Sequence, residues 1–222
     1  MSEVKQYNLT AQLFHWSIAA LILGLIVLGF YMDSMERSPF KFELYGYHKA
    51  LGILVLVMAV MRIIWKHVSE RPSPLSHHKN WEKCLSKTIH IVLYLAMIAM
   101  PLSGWVMSSA GGYGVSFFGL FDVPAIVDKN KELGRIAYQI HGVLPYIVMG
   151  CVGLHILGAL KHHVLDQDET LRRMGGNIVF AVLGLFLLAV AAYFPIQNTV
   201  AEFQAKNAVH NETVQEPVVE AE

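Results

Sequence analysis

Five apolar runs, each near the length that crosses a lipid bilayer, limit what this chain can fold into. They cover residues 13–32, 45–65, 87–108, 138–163 and 177–195. About 20 apolar residues in a helix span the hydrocarbon core, where only helices and closed barrels satisfy their own backbone hydrogen bonds. Because 55% of the residues are apolar and 15% are charged, a soluble domain would need several helices that are hydrophobic on every side. The runs therefore predict an all-α integral membrane protein.

Charge and cysteine content exclude two classes of protein. The formal net charge is zero, so the chain lacks the basic footprint of a nucleic-acid-binding protein. Cys84 and Cys151 do not form a C-x-x-C-H motif, so covalent attachment of a c-type haem is not predicted. Residues 1–12 are polar and lack the pattern of a cleaved signal peptide, so we expect the first apolar run to remain as a helix.

The distribution of lysine and arginine favours one orientation in the membrane. With the N-terminus inside, ten of these residues lie near inner ends of the runs and seven near outer ends. Since cytoplasmic loops carry the excess of basic residues, we expect a cytoplasmic N-terminus. Five crossings then place the polar tail, residues 196–222, on the periplasmic side, where its composition predicts disorder.

The fourth run carries histidines at positions 141, 155 and 162. His141 and His155 are fourteen residues apart, which on a helix is about four turns, or roughly 21 Å, and within about 40° of the same face. An imidazole is costly in hydrocarbon and needs a partner there. A single histidine of this kind is as often a hydrogen-bonded packing residue as a ligand. Two on one face, with more on other runs, favour metal ligation.

The predicted topology pairs four histidines by depth. His15 opens the first run at the inner side, near the level of His155, and His48 opens the second run at the outer side, near the level of His141. Two imidazoles on opposite sides of an iron give a six-coordinate haem, which suits one-electron transfer better than oxygen binding. We therefore predict an inner haem iron held by His15 and His155, and an outer one held by His48 and His141.

Several short motifs occur in order over roughly residues 5–174. They are His15-Trp16, His48-Lys49-Ala50-Leu51-Gly52, Met61-Arg62, His90-Ile91-Val92-Leu93-Tyr94, Pro101-Leu102-Ser103-Gly104, His141-Gly142, Gly153-Leu154-His155 and Lys161-His162-His163. Each is weak alone, but in their order and spacing the chain resembles the bacterial cytochrome b561 family. The resemblance implies a four-helix transmembrane bundle of the bacterial inner (plasma) membrane that holds two b haems. It also implies haem ligands at the four histidines that depth pairing selects.

The resemblance implies a function as well. In this family electrons pass between the two haems and exchange with a quinone, and one member type oxidises superoxide at the outer face and reduces ubiquinone. We therefore expect a superoxide:quinone oxidoreductase-like enzyme, with superoxide arriving near Lys49 or Arg135. The alternative is a b-haem membrane-anchor subunit that passes electrons between quinone and a partner dehydrogenase or periplasmic cytochrome. A haem-free metal or proton transporter is disfavoured, because the runs lack internal carboxylates.

The C-terminal part of the chain departs from the family pattern. We predict that residues 1–174 form the di-haem domain, that residues 175–195 form an additional transmembrane helix, and that residues 196–222 form the tail. The added helix either packs against the bundle or binds a partner. It favours the membrane-anchor alternative to some extent.

The other ionisable residues near the ends of the spans each allow two interpretations. Arg62 and Lys161 are predicted contacts of the inner haem's propionates, or else basic anchors at the membrane surface. His90 and His162 are candidates for a site that hydrogen-bonds a quinone carbonyl or supplies its protons. The alternative for both is a propionate contact or an interfacial side chain.

The two long connections carry polar and aromatic clusters. Residues 66–86 contain His67, His77 and His78, which we expect to be solvated rather than to ligate a metal. Residues 109–134 are predicted to be the longest loop, with aromatic residues at positions 117, 118 and 121 that lie on the membrane surface or cap the bundle. Glycines beside the candidate ligands would either admit a macrocycle or serve helix packing; they are Gly46, Gly52, Gly142, Gly153 and Gly158.

Overall fold

The computed structural model of this chain describes residues 6–70, 72–73 and 78–175. It contains four long helices, α1 (Leu9–Ser34), α2 (Pro39–Val68), α3 (Asn80–Ala110) and α4 (Lys131–Val164). A small antiparallel hairpin of β1 (Val115–Phe117) and β2 (Phe121–Val123) lies between α3 and α4, and a 3₁₀ turn (Arg172–Met174) follows α4. The predicted fifth helix and the tail lie outside the described residues.

All four helices are longer than the apolar runs that predicted them. Each begins in the polar segment before its run, where a capping hydrogen bond marks its start. The side chains of Asn8, Ser38 and Asn130 each accept a hydrogen bond from a backbone N–H in the first turn of α1, α2 and α4. Pro39 precedes the second apolar run and occupies the first turn of α2, where a missing N–H costs nothing. At α3, Glu82 accepts a hydrogen bond from the backbone N–H of Lys79.

The helices run up and down, and sequence neighbours pack together: α1 with α2, α2 with α3, and α3 with α4. The end of the bundle where α1 and α3 begin and α2 and α4 end is called the amino-terminal end below. The opposite end, which carries β1 and β2, is called the hairpin end. Small residues lie at the helix contacts, including the buried Ala50, Ala59 and Ala96, and small residues allow close helix approach within a membrane.

The outer surface of the bundle is apolar. Val57, Leu95 and Leu157 are each at least half exposed, and each of the four helices is long and apolar enough to cross a membrane. Such a surface suits lipid rather than water. The predicted four-helix membrane bundle is therefore confirmed.

The hairpin was not expected from the sequence, which predicted a long loop there. Val115 of β1 is buried, and Lys49 of α2 donates a hydrogen bond to the carbonyl of Gly114 at 3.2 Å. The indole N–H of Trp105 donates to the carbonyl of Pro124 at 3.1 Å. These contacts attach the hairpin to α2 and α3, so it covers one end of the bundle.

The amino-terminal end is held together by contacts between distant parts of the chain. The indole N–H of Trp16 donates to the carbonyl of Met174, and the backbone N–H of Tyr7 donates to the carbonyl of Arg173, both at 2.9 Å. The indole N–H of Trp65 donates to the side chain of Asn8 at 3.0 Å. The start of α1 is thereby tied to the end of α2 and to the 3₁₀ turn.

Candidate functional site

The structure brings the four candidate ligands together in two pairs. At the hairpin end, the ring centroids of His48 and His141 are 6.1 Å apart. At the amino-terminal end, those of His15 and His155 are also 6.1 Å apart. One pair joins α4 to α2 and the other joins α4 to α1, whereas the helix that packs closely against α4 is α3. The imidazoles therefore bridge a gap between helices at two levels of the bundle.

The spacing within each pair matches that of two ligands on one metal ion. Two imidazoles that bind from opposite sides, at a metal–nitrogen distance of about 2 Å, have ring centroids roughly 6 Å apart. The Nδ1 atom of His48 is buried without a hydrogen-bond partner, which costs free energy in an apolar bundle unless the ring has another role. The residues present therefore fit a bis-histidine metal centre at both levels.

Hydrogen bonds to His141 leave one of its nitrogens available as a ligand. Its Nδ1 lies 3.1 Å from the carbonyl oxygen of Met100 and 3.0 Å from the hydroxyl of Ser103. A carbonyl only accepts, and the Ser103 hydroxyl donates to the same carbonyl, so Nδ1 carries the proton and donates it. The lone pair is then on Nε2, the arrangement in which a second partner orients a metal ligand.

Two glycines lie directly against the hairpin-end imidazoles. A Cβ at Gly104 would lie 3.0 Å from Cε1 of His141, and a Cβ at Gly29 would lie 3.6 Å from Cε1 of His48. The five glycines singled out from the sequence have no such neighbour within 4 Å. Sequence proximity to a histidine selected those five, whereas contact depends on which helix faces cross in space. Gly104 was noted only as part of a motif.

The amino-terminal pair has two further polar neighbours. The Arg62 guanidinium donates to Nδ1 of His15 at 3.0 Å, so the structure brings this predicted propionate contact to the candidate ligand itself. The ring of His90 lies 5.0 Å from that of His155, too close for the two to sit on opposite sides of one metal ion. Nδ1 of His90 donates to the carbonyl of Ser86 at 2.7 Å. His15 therefore remains the partner for His155 whose spacing fits.

The other predicted site residues contact groups outside the two imidazole pairs. Lys161 forms ion pairs with Glu82 at 2.6 Å and with Asp166 at 2.7 Å, and the ring of His162 stacks on that of His78 at 4.1 Å. At the hairpin end, Arg135 pairs with the neighbouring Glu132, and the ammonium group of Lys49 lies over the ring of Tyr113. Of the two basic residues suggested for anion arrival, Lys49 is held against the hairpin.

An apolar groove of about 540 Å³ lies between α2 and α3 near the amino-terminal end. Its walls are aliphatic and include Ile63, Ile91 and Leu95, while Lys66 and His67 supply polar groups at its edge. The ammonium group of Lys66 lies 4.3 Å from the centre of the Tyr94 ring, which belongs to the same lining. On α3 the lining of the groove begins at Ile91, the residue after His90.

In the part of the chain that the structure describes, these features define a membrane bundle of four helices built around paired imidazoles at two levels. The chain belongs to the prokaryotic cytochrome b561 family, whose model matches residues 6–177. It is 32% identical over 174 residues to cytochrome b561 homolog 2 of Escherichia coli (strain K12), covering 78% of this chain and 93% of that protein. It is 33% identical over 127 residues to cytochrome b561 homolog 1 of the same organism, covering 57% and 72%.

A third relative carries a functional name. The chain is 29% identical over 185 residues to the probable superoxide oxidase CybB of Yersinia pestis, covering 77% of this chain and 96% of that protein. The resemblance found in the sequence is thereby confirmed. The protein is a multi-pass bacterial membrane protein of an electron-transfer family whose members bind b-type haem.

Proposed function

We propose that the chain binds two b haems and passes electrons across the bilayer, from superoxide at the hairpin end to ubiquinone at the amino-terminal end. The two imidazole pairs, each with ring centroids 6.1 Å apart, carry this proposal. The name of the Yersinia pestis relative, a probable superoxide oxidase, supports the choice of donor. His15 with His155 would hold one haem, and His48 with His141 the other. A haem held by two imidazoles would supply one-electron transfer.

The overall reaction balances as two one-electron steps. Two superoxide anions each lose one electron and leave as dioxygen, and one quinone takes up both electrons together with two protons to become the quinol. Superoxide is an anion, so the positive charge of Lys49 at the hairpin end raises its local concentration. Protons must reach the opposite end, and histidine, which accepts and releases a proton near pH 7, is the side chain suited to relay them.

Arg62 would have to leave His15 if that ring held a haem through Nε2. A guanidinium group only donates hydrogen bonds, so its contact with Nδ1 of His15 at 3.0 Å leaves the proton of that neutral ring on Nε2. Ligation through Nε2 instead requires the proton on Nδ1. We therefore assign Arg62 to a haem propionate, where its charge is paired. Lys161 is a weaker candidate for that role because Glu82 and Asp166 already neutralise it.

We place the quinone head group in or beside the groove between α2 and α3. Its aliphatic walls suit an apolar ring and tail, and its lining begins one residue after His90. Since Nδ1 of His90 donates to Ser86, the neutral ring offers Nε2 as a proton acceptor, and the protonated ring can donate to a quinone carbonyl. His162 lies in a separate cluster, stacked on His78, and does not line this groove, so His90 is the better placed of the two candidates.

The experiment that tests this function is rapid mixing of the detergent-purified protein with superoxide and then with a soluble ubiquinone analogue. We expect superoxide to reduce the haems, quinone to reoxidise them, and superoxide dismutase to abolish the first step. Lys49→Gln should slow reduction several-fold while Arg135→Gln, which removes a charge already paired with Glu132, changes it little. Haems that superoxide does not reduce would refute the proposal and favour a membrane anchor for a partner dehydrogenase or cytochrome.

A further inference from the structure

A second group of potential ligands lies at the amino-terminal end, outside the haem pairs. It comprises His78 before α3, His162 in the last turn of α4 and Asp168 in the segment after it, and their ligand atoms lie within 4.8 Å of one another. Nε2 of His78 is 2.7 Å, and Nδ1 of His162 is 3.3 Å, from the same oxygen, Oδ2 of Asp168. Ligands about 2 Å from a tetrahedral ion lie roughly 3.3 Å from one another. The distances of the two nitrogens from this oxygen are therefore near the spacing of ligands in a metal site.

The surrounding backbone fixes this arrangement. The N–H of Asp168 donates to the carbonyl of His162 at 3.0 Å, which folds the segment back on the end of α4. The N–H of Thr170 donates to Oδ1 of Asp168 at 2.7 Å, so Oδ2 faces the imidazoles. The His78 and His162 rings stack with centroids 4.1 Å apart and an angle of 23° between their planes. Two imidazoles on one tetrahedral ion have ring centroids about 5 Å apart, so the two rings move apart by about 1 Å when they bind one ion.

The charge around the cluster favours a cation. Glu82, Asp166 and Asp168 are carboxylates, and Lys161 pairs with the first two. The side chain of Asp168 is 4% exposed, so water screens the charge of its carboxylate poorly.

His162 lies beside two carboxylates. Its Nδ1 lies 2.7 Å from Oδ2 of Asp166 and 3.3 Å from Oδ2 of Asp168. The shorter distance is that of an ion pair, whereas the longer one equals the separation expected between two ligands of one tetrahedral ion.

We propose that His78, His162 and Asp168 bind one divalent transition metal ion of the Zn²⁺ type, with Asp166 or water completing its coordination. Two imidazoles and a carboxylate are ligands that such ions prefer, whereas Mg²⁺ and Ca²⁺ prefer oxygen alone. The ion joins the connection before α3 to the end of α4. The sequence predicted that His78 would be solvated, because it does not reveal that α4 and the segment after it return to that connection. The proposal is independent of the haem proposal.

The test is Zn²⁺ binding to the detergent-purified, haem-containing protein after removal of its purification tag and treatment with a chelator. Equilibrium dialysis with metal analysis should give one Zn²⁺ per chain, and Mg²⁺ should not compete. Loss even of an outer partner of a metal ligand weakens binding about 10- to 100-fold, so His78→Ala and Asp168→Asn should each weaken it by at least about tenfold. His67→Ala, which alters a histidine outside the cluster, should bind as the wild type does.

Haem absorbance and a single size-exclusion peak identify folded samples and keep this result separate from haem binding. Asp168→Asn keeps the side-chain oxygen that accepts from Thr170, so it carries the test if His78→Ala does not fold. Absence of Zn²⁺ binding by the wild type would overturn the proposal. Unchanged affinity in Asp168→Asn would overturn it as well, since the cluster would then be a hydrogen-bonded group alone.

Discussion

At the scale of single residues, Gly104 leaves the space that the imidazole of the candidate ligand His141 occupies. A Cβ there would lie 3.0 Å from Cε1 of His141, so Gly104→Ala should push the imidazole out of line. We expect haem occupancy at the hairpin end to fall, while occupancy at the amino-terminal end is retained. Haem content per chain measures the effect. Alanine otherwise favours a helix over glycine by about 1 kcal/mol, so lower stability of the bundle is not expected.

Gly150→Ala is the matched control for that substitution. It makes the same change on the exposed surface of α4, where nothing lies within 4 Å of the added Cβ. Full haem content in Gly104→Ala, or an equal loss in both variants, would contradict a close contact between Gly104 and a ligating His141.

The level of each histidine along the bundle could be predicted from the sequence, whereas the side chains that contact it could not. Each of the four histidines lies near one end of an apolar run, so their levels follow from chain order and helix rise. The contacts of Ser103 and Gly29 with the imidazoles depend on how far each helix is rotated about its axis. Arg62 was placed near the inner haem from its position in the second run. Its contact with His15 required the structure.

At the element scale, the turn that leads from α3 to the hairpin depends on Gly112. This residue has a φ of 75°, a conformation that costs other residues about 1–2 kcal/mol. Its added Cβ would also contact the side chain of Lys129. Gly112→Ala should therefore lower the free energy of unfolding by about 1–2 kcal/mol, measured by thermal denaturation in detergent.

Gly114→Ala provides the comparison within the same loop. Nothing lies within 4 Å of its added Cβ, and its φ is not in the left-handed region. We expect this variant to unfold within a degree or so of the wild type. Equal stability of the two variants would show that the backbone of the turn is not as described.

The amino-terminal end depends on the hydrogen bond from Trp16 to Met174. Trp16→Phe keeps an aromatic ring but removes the donor, which should cost about 0.5–1.5 kcal/mol and lower the unfolding temperature by a few degrees. Trp81→Phe, at a site that is 59% exposed, should have little effect. Thermal unfolding of both variants tests this, and a larger loss in Trp81→Phe would contradict it.

The helices were predictable as elements because apolar length alone identifies a span. The hairpin was not, since each of its strands has three residues, too few for an alternating pattern to emerge. The ends of α1, α2 and α4 were missed because their capping residues lie in polar segments that the hydrophobic pattern does not read. Capping signals supply those boundaries.

At the scale of the whole molecule, the balance of basic residues predicts that the amino-terminal end faces the cytoplasm. Cys84 is exposed near the start of α3 at that end, so it reports the orientation. A membrane-impermeant maleimide should label it in inverted inner-membrane vesicles and not in intact spheroplasts, and Cys84→Ser should abolish the signal. Labelling in spheroplasts alone would reverse the proposed direction of electron flow.

The central claim is that each imidazole pair holds its own b haem. The most direct measurement is haem stoichiometry, by quantitative haem and protein determination, in the wild type and in His141→Ala. We predict two haems per chain in the wild type, one in His141→Ala, and two in the control His67→Ala. A wild type with one haem or none, or a His141→Ala variant that keeps both, would contradict the claim.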